Sequence, residues 1–246
     1  MQKFEQQVRQ FPIDVKEGQP VVAVSKKDDH FEVKSEGGDT YQGKTVIYAA
    51  GKRPRQLNVP GENEFRGKGV TYCAICDGPL FEGMDVAIVG GGNSALSATL
   101  DMVKIAKHVY LVAVSDLRAD TVLVDAAKDA KNLTILTHHQ VQEVHGDGMV
   151  SGVTIKSRKS DEVKRLDVGG VFVEIGLLPN SEPVRELVKL NELNEVVVNN
   201  AGETGVPGLF AAGDVTDVPE KQIVVAAGEG AKAALSAHKY LQRSGK

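Results

Sequence analysis

The strongest constraint on the fold is a stretch that begins at Val86 and reads VAIVGGGNSALSATLDMVKIAKHVYLVAV. A short apolar run is followed by a glycine-rich turn, an amphipathic stretch of helix length and a second apolar run. This order predicts two parallel strands joined by a crossover helix. We therefore predict an α/β protein with Rossmann-like build. Its length of 246 residues suits one large or two modest domains.

The glycine-rich turn matches the dinucleotide fingerprint G-x-G-x-x-A. Its candidate cofactor-binding residues are Gly90, Gly91, Gly92, Asn93, Ser94 and Ala95. Gly90 permits the tight turn, Gly92 lets backbone N–H groups approach a pyrophosphate, and Ala95 lets helix and strand pack closely. The alternative is a strand-to-helix turn that uses glycine without binding a nucleotide. The order strand, turn, helix favours the binding interpretation.

Both cysteines of the chain lie in the stretch TYCAICDG, at Cys73 and Cys76. Three interpretations are open: a metal site, a structural link, or a disulfide that opens and closes. A zinc site needs four ligands, and the adjacent His138 and His139 have no partners at suitable spacing, so we expect no metal. A bond across so short a loop adds little stability. We therefore predict a reversible disulfide.

Composition excludes several other classes of function. The net charge is −4 and the pI about 5.9, and basic residues are scattered, so no nucleic-acid surface is expected. No apolar run approaches the ~18 residues of a membrane helix, and the N-terminus lacks an apolar signal core. We predict a soluble cytoplasmic protein that binds neither nucleic acid nor membrane.

Further strands follow the fingerprint. Residues 133–137 and 153–157 are predicted as strands around a polar hairpin, with the letters HGDG at residues 145–148 forming its bend. The run GGVFVEIG at residues 169–176 predicts a buried strand.

An internal echo suggests a duplication. VIYAAGKRPR at residues 46–55 and VFVEIGLLPN at residues 171–180 share an apolar strand followed by Gly-x-x-Pro, and each follows a short alternating strand. Gly90 precedes the closing Gly176 by about 86 residues, and the same distance counted back from Gly51 ends about 35 residues before Met1. We therefore expect the first unit to lack its leading strand–helix–strand segment. Coincidence between two short segments is the alternative.

Taken together, the CAICDG box, GGGNSA, and the C-terminal GLFAAGDVTD with KQIVVAAGEGAKAAL resemble the low-molecular-weight thioredoxin reductase family and its close relative, the flavoprotein subunit of alkyl hydroperoxide reductase. GVTYC, CDGPLF and VEIGLLPN lean toward the second branch. The resemblance implies two Rossmann-like domains, with a nicotinamide domain inserted in a split FAD domain. On this chain residues 1–55 and 180–246 would form an FAD domain without its first βαβ unit. Residues 56–179 would form the NAD(P) domain with the redox box.

The resemblance also implies a function. Electrons would pass from NAD(P)H through FAD to the Cys73–Cys76 disulfide, and from there to a thioredoxin-like or peroxiredoxin-linked protein disulfide, in a homodimer. Cys73 would attack the partner, Cys76 would face the flavin, and Asp77 would be the acid–base group; Asp77 is alternatively a turn residue. The family's contacts with the phosphate and ribityl region of FAD fall on Gly213 and Asp214, and the segment beside the flavin ring falls on Lys221, Gln222 and Ile223. Gly51 and Gly176, which close the two echoing segments, are further candidate cofactor-binding residues. Without the family, Gly213 and Asp214 would be interpreted as a strand-to-helix loop.

Two departures from the family bear on the cofactors. The usual FAD fingerprint is absent from the sequence, so we expect this chain alone to bind FAD weakly or not at all. The second predicted strand of the fingerprint unit ends at Ser115, where NADP-using relatives carry paired arginines and NAD-using relatives often an acid. Arg118 lies just beyond, either as a phosphate contact or as a solvated charge, so we expect NADH to bind at least as well as NADPH.

Two other functions compete with this prediction. One is a flavin-free NAD(P)-binding fragment without reductase activity. The other is a thioredoxin-like disulfide carrier, which the absence of any Trp makes the weaker candidate.

Overall fold

The computed structural model describes residues 2–245 and divides into two compact units. Unit 1 comprises Met1–Arg53 and Leu178–Lys246, and unit 2 comprises Pro54–Leu177. The chain therefore leaves unit 1 once, builds unit 2 from a single continuous segment, and then returns.

The helices and strands are as follows in chain order. The helices are α1 (Gln2–Val8), α2 (Ala74–Asp77), α3 (Asn93–Met102), α4 (Thr121–Lys128) and α5 (Ile223–Ser244). The strands are β1 (Val21–Lys26), β2 (Phe31–Ser35), β3 (Thr40–Gly43), β4 (Val46–Tyr48), β5 (Lys52–Pro54), β6 (Val70–Thr71), β7 (Asp85–Val89), β8 (His108–Ala113), β9 (Leu133–Thr137), β10 (His139–Asp147), β11 (Met149–Ser157), β12 (Val163–Leu166), β13 (Gly170–Val173), β14 (Leu177–Pro179) and β15 (Leu209–Ala211). Short 3₁₀ turns span Gly78–Phe81, Glu182–Val184 and Gly213–Val215.

The centre of unit 2 is a five-stranded parallel sheet in the order β6-β13-β7-β8-β9. The predicted βαβ unit is confirmed as β7, α3 and β8. Parallel strands need cover on both faces, and this is why β7 forms one continuous apolar run. Its residues Val86, Ala87 and Ile88 are fully buried.

Two different layers cover the sheet. On one face α3 and α4 pack against apolar residues such as Ile88, Leu111 and Phe172. On the other face the antiparallel sheet β10-β11-β12 contributes Val144 and Val153 to a core shared with the parallel strands. Unit 2 is thus a three-layered α/β/β body with its own hydrophobic core.

The predicted strand at 133–137 is confirmed, but its role differs from the prediction. It pairs in parallel with β8 as the edge of the central sheet. The partner of β11 across the bend is β10, a strand that the sequence did not reveal. The bend itself falls at Gly148, within the predicted HGDG letters, with φ of +74°. The predicted strand at 169–176 is confirmed in its central part as β13, and the four residues of β13 are buried. Glu174 and Ile175, which follow it, are only partly buried, and Gly176 is exposed.

Unit 1 combines an antiparallel sheet, β1-β2-β3, with the parallel pair β4 and β15. Phe31 and Leu209 meet in a core between these two sheets. Phe210, which points the other way from β15, packs against Ala233 of α5. These elements confirm the predicted α/β class. No helix in residues 2–245 is both long and apolar enough to cross a membrane.

Candidate functional site

The glycine-rich turn lines a cavity of about 400 Å³, here named the glycine cavity. Its wall consists of Val89–Ser94, Val112–Ser115, Arg118 and Glu174–Gly176. Gly92 is the N-cap of α3 and has no side chain to satisfy the first N–H groups of that helix. A Cβ atom on Gly92 would meet nothing within 4 Å. The start of α3 therefore presents free donors to open space, an arrangement suited to a phosphate.

The other predicted members of the fingerprint serve the turn itself. Gly90 has φ of +152° and donates its N–H to the carbonyl of Val112 at 2.9 Å. Ala95 is fully buried between α3 and the sheet. Asn93 accepts the backbone N–H of Asp120 at 2.8 Å and so ties the start of α3 to that of α4.

The residues after β8 hold no pair of arginines that faces the cavity. Arg118 lines it and donates its backbone N–H to Gly91 at 2.7 Å. Asp116 is paired with His138 at 2.9 Å. A second arginine, Arg158 at the end of β11, donates from Nη1 to the carbonyl of Val114 at 3.1 Å. The sequence did not indicate Arg158, because its approach depends on the fold of the β10–β11 hairpin.

The sulfur atoms of Cys73 and Cys76 are joined in a disulfide. Cys73 is the N-cap of α2, and its Sγ accepts the backbone N–H of Cys76 at 3.2 Å. The carboxylate of Asp77 accepts a hydrogen bond from the hydroxyl of Thr71. Within unit 2, Cys76 is exposed and Cys73 is half-buried.

A second cavity, of about 380 Å³, adjoins this disulfide and is named the disulfide cavity. It is lined by Tyr72–Ile75, Asn93, Ser94, Ser97, Ala98, Asp101 and Glu174. Three of these residues, Asn93, Ser94 and Glu174, also line the glycine cavity. The fingerprint and the disulfide therefore lie on two adjacent cavities of one unit.

Glu174 is a site residue that the sequence analysis missed. It follows the last residue of β13, and its Oε1 accepts the backbone N–H of Ala74 at 3.4 Å. Burial raises the pKa of Glu174 to about 6, although the hydrogen bond from Ala74 acts in the opposite direction. The available signal was one acid within an otherwise apolar run, VFVEIG.

Glu62 is a second carboxylate that the sequence analysis missed. It is fully buried and accepts the backbone N–H groups of Leu57 and Asn58 at 2.8 and 2.7 Å. It also accepts the hydroxyl of Tyr72 at 2.9 Å. Burial, followed by this hydrogen bond, raises the pKa of Tyr72 to about 12. Glu62 thereby fixes the residue that precedes Cys73.

The remaining predicted residues lie mostly in unit 1. Gly51 and Gly213 have φ of +66° and +73°, and Gly213 with Asp214 begins the 3₁₀ turn after β15. Gln222 is the N-cap of α5 and makes no side-chain capping bond. Ile223, the first residue of α5, is 67% exposed. Gly176 instead lines the glycine cavity of unit 2.

Lys221 belongs to a buried charge cluster in unit 1. Glu195 accepts hydrogen bonds from Lys52 and from Asn191, and Lys221 lies 3.2 Å from its carboxylate. The side chains of Lys52 and Glu195 are only 8% exposed. Burial raises the pKa of Glu195, but the hydrogen bonds from its partners outweigh burial and the pKa is lowered overall. Burial, together with the nearby Lys52 charge, lowers the pKa of Lys221.

The two implied cofactors fit the chain to different degrees. The glycine cavity offers free helix N–H groups and open space at Gly92, so it fits a nicotinamide dinucleotide. Where the resemblance implies the flavin ring, the structure has a turn at Gly213 with φ of +73° and an exposed first residue of α5, Ile223. Unit 1, within residues 2–245, has no second glycine turn of this type for the FAD pyrophosphate. The same residues contain no cluster of three His, Cys, Asp or Glu side chains that could hold a metal.

Comparison with known proteins decides the family. The pyridine nucleotide-disulphide oxidoreductase family matches residues 3–230. The chain belongs to this family. Among solved structures, this chain is similar to thioredoxin reductase from Streptococcus pyogenes, with 32% identity and a TM-score of 0.89 over 98% of this chain and 79% of the other. Thioredoxin reductase from Giardia duodenalis gives 30% identity and a TM-score of 0.88, with 98% and 80% covered.

Two longer relatives have a higher sequence identity to this chain than these two solved structures. This chain is 47% identical to the F subunit of alkyl hydroperoxide reductase from Xanthomonas campestris pv. phaseoli, over 98% of this chain and 46% of the relative. It is 45% identical to a protein named NADH dehydrogenase from Bacillus subtilis, over 98% and 47%. The chain thus spans about half the length of these two relatives. The predicted resemblance to thioredoxin reductases and to the peroxide-reductase flavoprotein is confirmed.

Proposed function

We propose that this oxidoreductase reduces protein disulfides with electrons from NADH or NADPH. The nucleotide binds at Gly90–Ala95, and the electrons reach a partner protein through the disulfide of Cys73 and Cys76. The observation that carries this proposal is that the glycine cavity and the disulfide cavity adjoin and share Asn93, Ser94 and Glu174. A nucleotide site and a dithiol site built into one compact unit are what a nicotinamide-dependent disulfide reductase requires.

The thiol chemistry rests on the chain's own residues. After reduction, Cys73 is the proposed nucleophile, because its sulfur accepts the N–H of Cys76 and this hydrogen bond favours a thiolate. Cys76 then attacks Cys73 in the mixed disulfide and releases the reduced partner. Asp77, held by Thr71, is the proposed group that gives and takes the proton.

FAD is the proposed relay between nicotinamide and disulfide, and its chemistry is to accept a hydride and return an electron pair. Gly213, Asp214, Gln222 and Ile223 are the residues proposed to hold its ring end. The partner is proposed to be a thioredoxin-like or peroxiredoxin-linked disulfide, because relatives are named thioredoxin reductase and alkyl hydroperoxide reductase. A homodimer is proposed on the same family grounds.

The test is a thiol count under anaerobic conditions, with FAD kept in excess in the buffer. NADH should raise the count by two thiols per chain. The Gly92→Val variant, which should fold but fill the nucleotide site, should show no rise and so controls for slow reduction by free flavin. If NADH and FAD both bind under these conditions and the count stays unchanged, the reductase proposal is wrong.

That last outcome would favour the second candidate, a nucleotide-binding module without reductase activity. One observation supports this alternative: the glycine cavity is built entirely from residues of unit 2, which has its own core. Such a module would bind NADH with the same affinity whether or not FAD is present.

A further inference from the structure

Glu174 is a charged group beside the disulfide, and neither the fingerprint nor the redox box accounts for it. Its Oε1 lies 3.4 Å from the nitrogen of Ala74, and that nitrogen is bonded to the carbonyl carbon of Cys73. Glu174 and Cys73 also line the same cavity. The Cys73 sulfur is four covalent bonds from the Ala74 nitrogen, so the carboxylate and the sulfur lie within about 8 Å of each other.

We propose that Glu174 is a positioning residue of the disulfide site, and that its negative charge disfavours the thiolate of Cys73. When the disulfide is reduced, the Cys73 sulfur therefore takes up a proton together with the electrons. Reduction breaks the S–S bond with two electrons and leaves two sulfurs that can each take a proton. With an anionic Glu174 nearby, the Cys73 sulfur takes its proton at a higher pH than it otherwise would. Below the ionisation range of Glu174 this effect disappears.

Within residues 2–245, the carboxylate of Glu174 forms no ion pair, and its one hydrogen bond is the one from Ala74. The side chain of Arg55 lies near Gly176, two residues further along the chain, and is not paired with Glu174. On the disulfide segment, Tyr72 is bonded to Glu62 and Asp77 to Thr71. On α3, Asp101 is bonded to Lys104 at 3.1 Å. Arg118, after β8, lines only the glycine cavity and makes no hydrogen bond to Glu174 within residues 2–245.

The state of Glu174 near neutral pH supports the same inference. Its pKa is raised to about 6 by burial, so the carboxyl group is mostly ionised at pH 7 and above. Two like charges about 8 Å apart in a partly buried site interact with an energy that corresponds to about one pH unit. The charge of Glu174 is therefore large enough to be measured at the thiol.

The experiment uses the Cys76→Ser variant, in which Cys73 is the single thiol. Its ionisation is followed by thiolate absorbance against pH. Adding Glu174→Gln should lower the titration midpoint by about one pH unit, and Glu174→Asp, which keeps the charge, should restore most of the original value. The matched control is Asp101→Asn, which changes another acid of the same cavity and should leave the midpoint unchanged. An identical midpoint in Glu174→Gln would overturn the inference.

A second readout uses the intact disulfide in equilibrium with dithiothreitol, which is oxidised to its cyclic disulfide. At a pH above the thiol midpoints measured for both proteins in that titration, Glu174→Gln should favour the reduced protein by about tenfold, a change of about 30 mV. The inference rests on the proposed function only in that the disulfide opens and closes. A disulfide that dithiothreitol cannot open contradicts the proposed function, whereas an open disulfide with an unchanged thiol midpoint contradicts only the role of Glu174.

Discussion

A Cβ atom on Gly90 would lie 2.3 Å from the carbonyl oxygen of Glu174. It would also lie 2.8 Å from the Cβ of Ala95, and the φ of Gly90 is +152°. Both contacts are closer than packed atoms tolerate, and one of them is with backbone. The fingerprint glycine is therefore required for the approach of β7, β13 and α3 before any nucleotide binds.

The first prediction separates this structural glycine from its neighbour. Gly90→Ala should lower the free energy of unfolding by about 3 kcal/mol or more, because backbone must move to accommodate the methyl group. Gly92→Ala is the matched control and should be tolerated, since its Cβ would meet open space at an ordinary φ of −100°. Urea unfolding of the two variants measures the difference. Equal stability would show that the turn can relax.

The second prediction concerns the nucleotide. Gly92→Val should retain the fold and lose binding of NADH, because the side chain would project into the space in front of the free N–H groups of α3. Isothermal titration with NADH measures this loss. Unchanged affinity would place the nucleotide elsewhere.

The third prediction is that NADH binds at least as well as NADPH, so a preference for NADPH of more than about tenfold would contradict it. A 2′-phosphate without a cationic partner lacks hydrogen bonds worth about 1.5–3 kcal/mol each. Arg118 can supply one partner, and Arg158 is already bonded to Val114. Arg118→Ala should weaken the binding of NADPH and leave the affinity for NADH nearly unchanged. A strong preference for NADPH that survives this substitution would contradict the prediction and direct attention to Arg158.

The local sequence pattern was sufficient to predict β7, α3 and β8. The apolar residues of each have the spacing typical of a buried strand or of a helix, and a glycine turn joins β7 to α3. It failed for β10. The register of that strand shifts between Val141 and Glu143, so Val141 and Val144, both buried, are three residues apart rather than two. A bulge of this kind removes the alternation by which a strand is recognised.

The site shows the same division between local and distant information. The fingerprint and the cysteine pair are local patterns, and the sequence revealed both. Glu174 contacts Ala74 from 100 residues away, and Lys52 contacts Glu195 from 143 residues away. Such contacts depend on strand order and on the return of the chain to unit 1, and neither follows from the composition of the segments concerned.

The fourth prediction tests the buried charge cluster of unit 1. Glu195→Gln leaves Lys52 and Lys221 without a counter-charge in a buried site and should cost about 3–5 kcal/mol at pH 7. The control is Glu182→Gln, which breaks an exposed pair with Arg53 and should cost less than about 1 kcal/mol. The pKa of Glu195 is lowered in the folded chain. The ionised carboxylate therefore adds to the free energy of unfolding at a pH above the pKa of the unfolded chain, and this stabilisation is lost as the pH falls through the pKa of the folded chain. The difference in free energy of unfolding between the wild type and Glu195→Gln should therefore become smaller at acidic pH. If the two substitutions lowered the free energy of unfolding equally, burial would not explain the importance of the Glu195 cluster.

The last prediction is that this chain by itself binds FAD weakly or not at all. Gly213 and the start of α5 can face the flavin ring, but unit 1, within residues 2–245, has no second glycine turn at the start of a helix. The pyrophosphate of FAD carries two negative charges that normally rest on such N–H donors, and without them the affinity should fall steeply. The measurement is the ratio of flavin to protein after incubation with FAD and desalting, with NADH affinity as the control for a correctly folded unit 2. A stable ratio near one would show that the turn at Gly213 and α5 hold FAD without that second glycine turn, and this account of FAD binding would then be wrong.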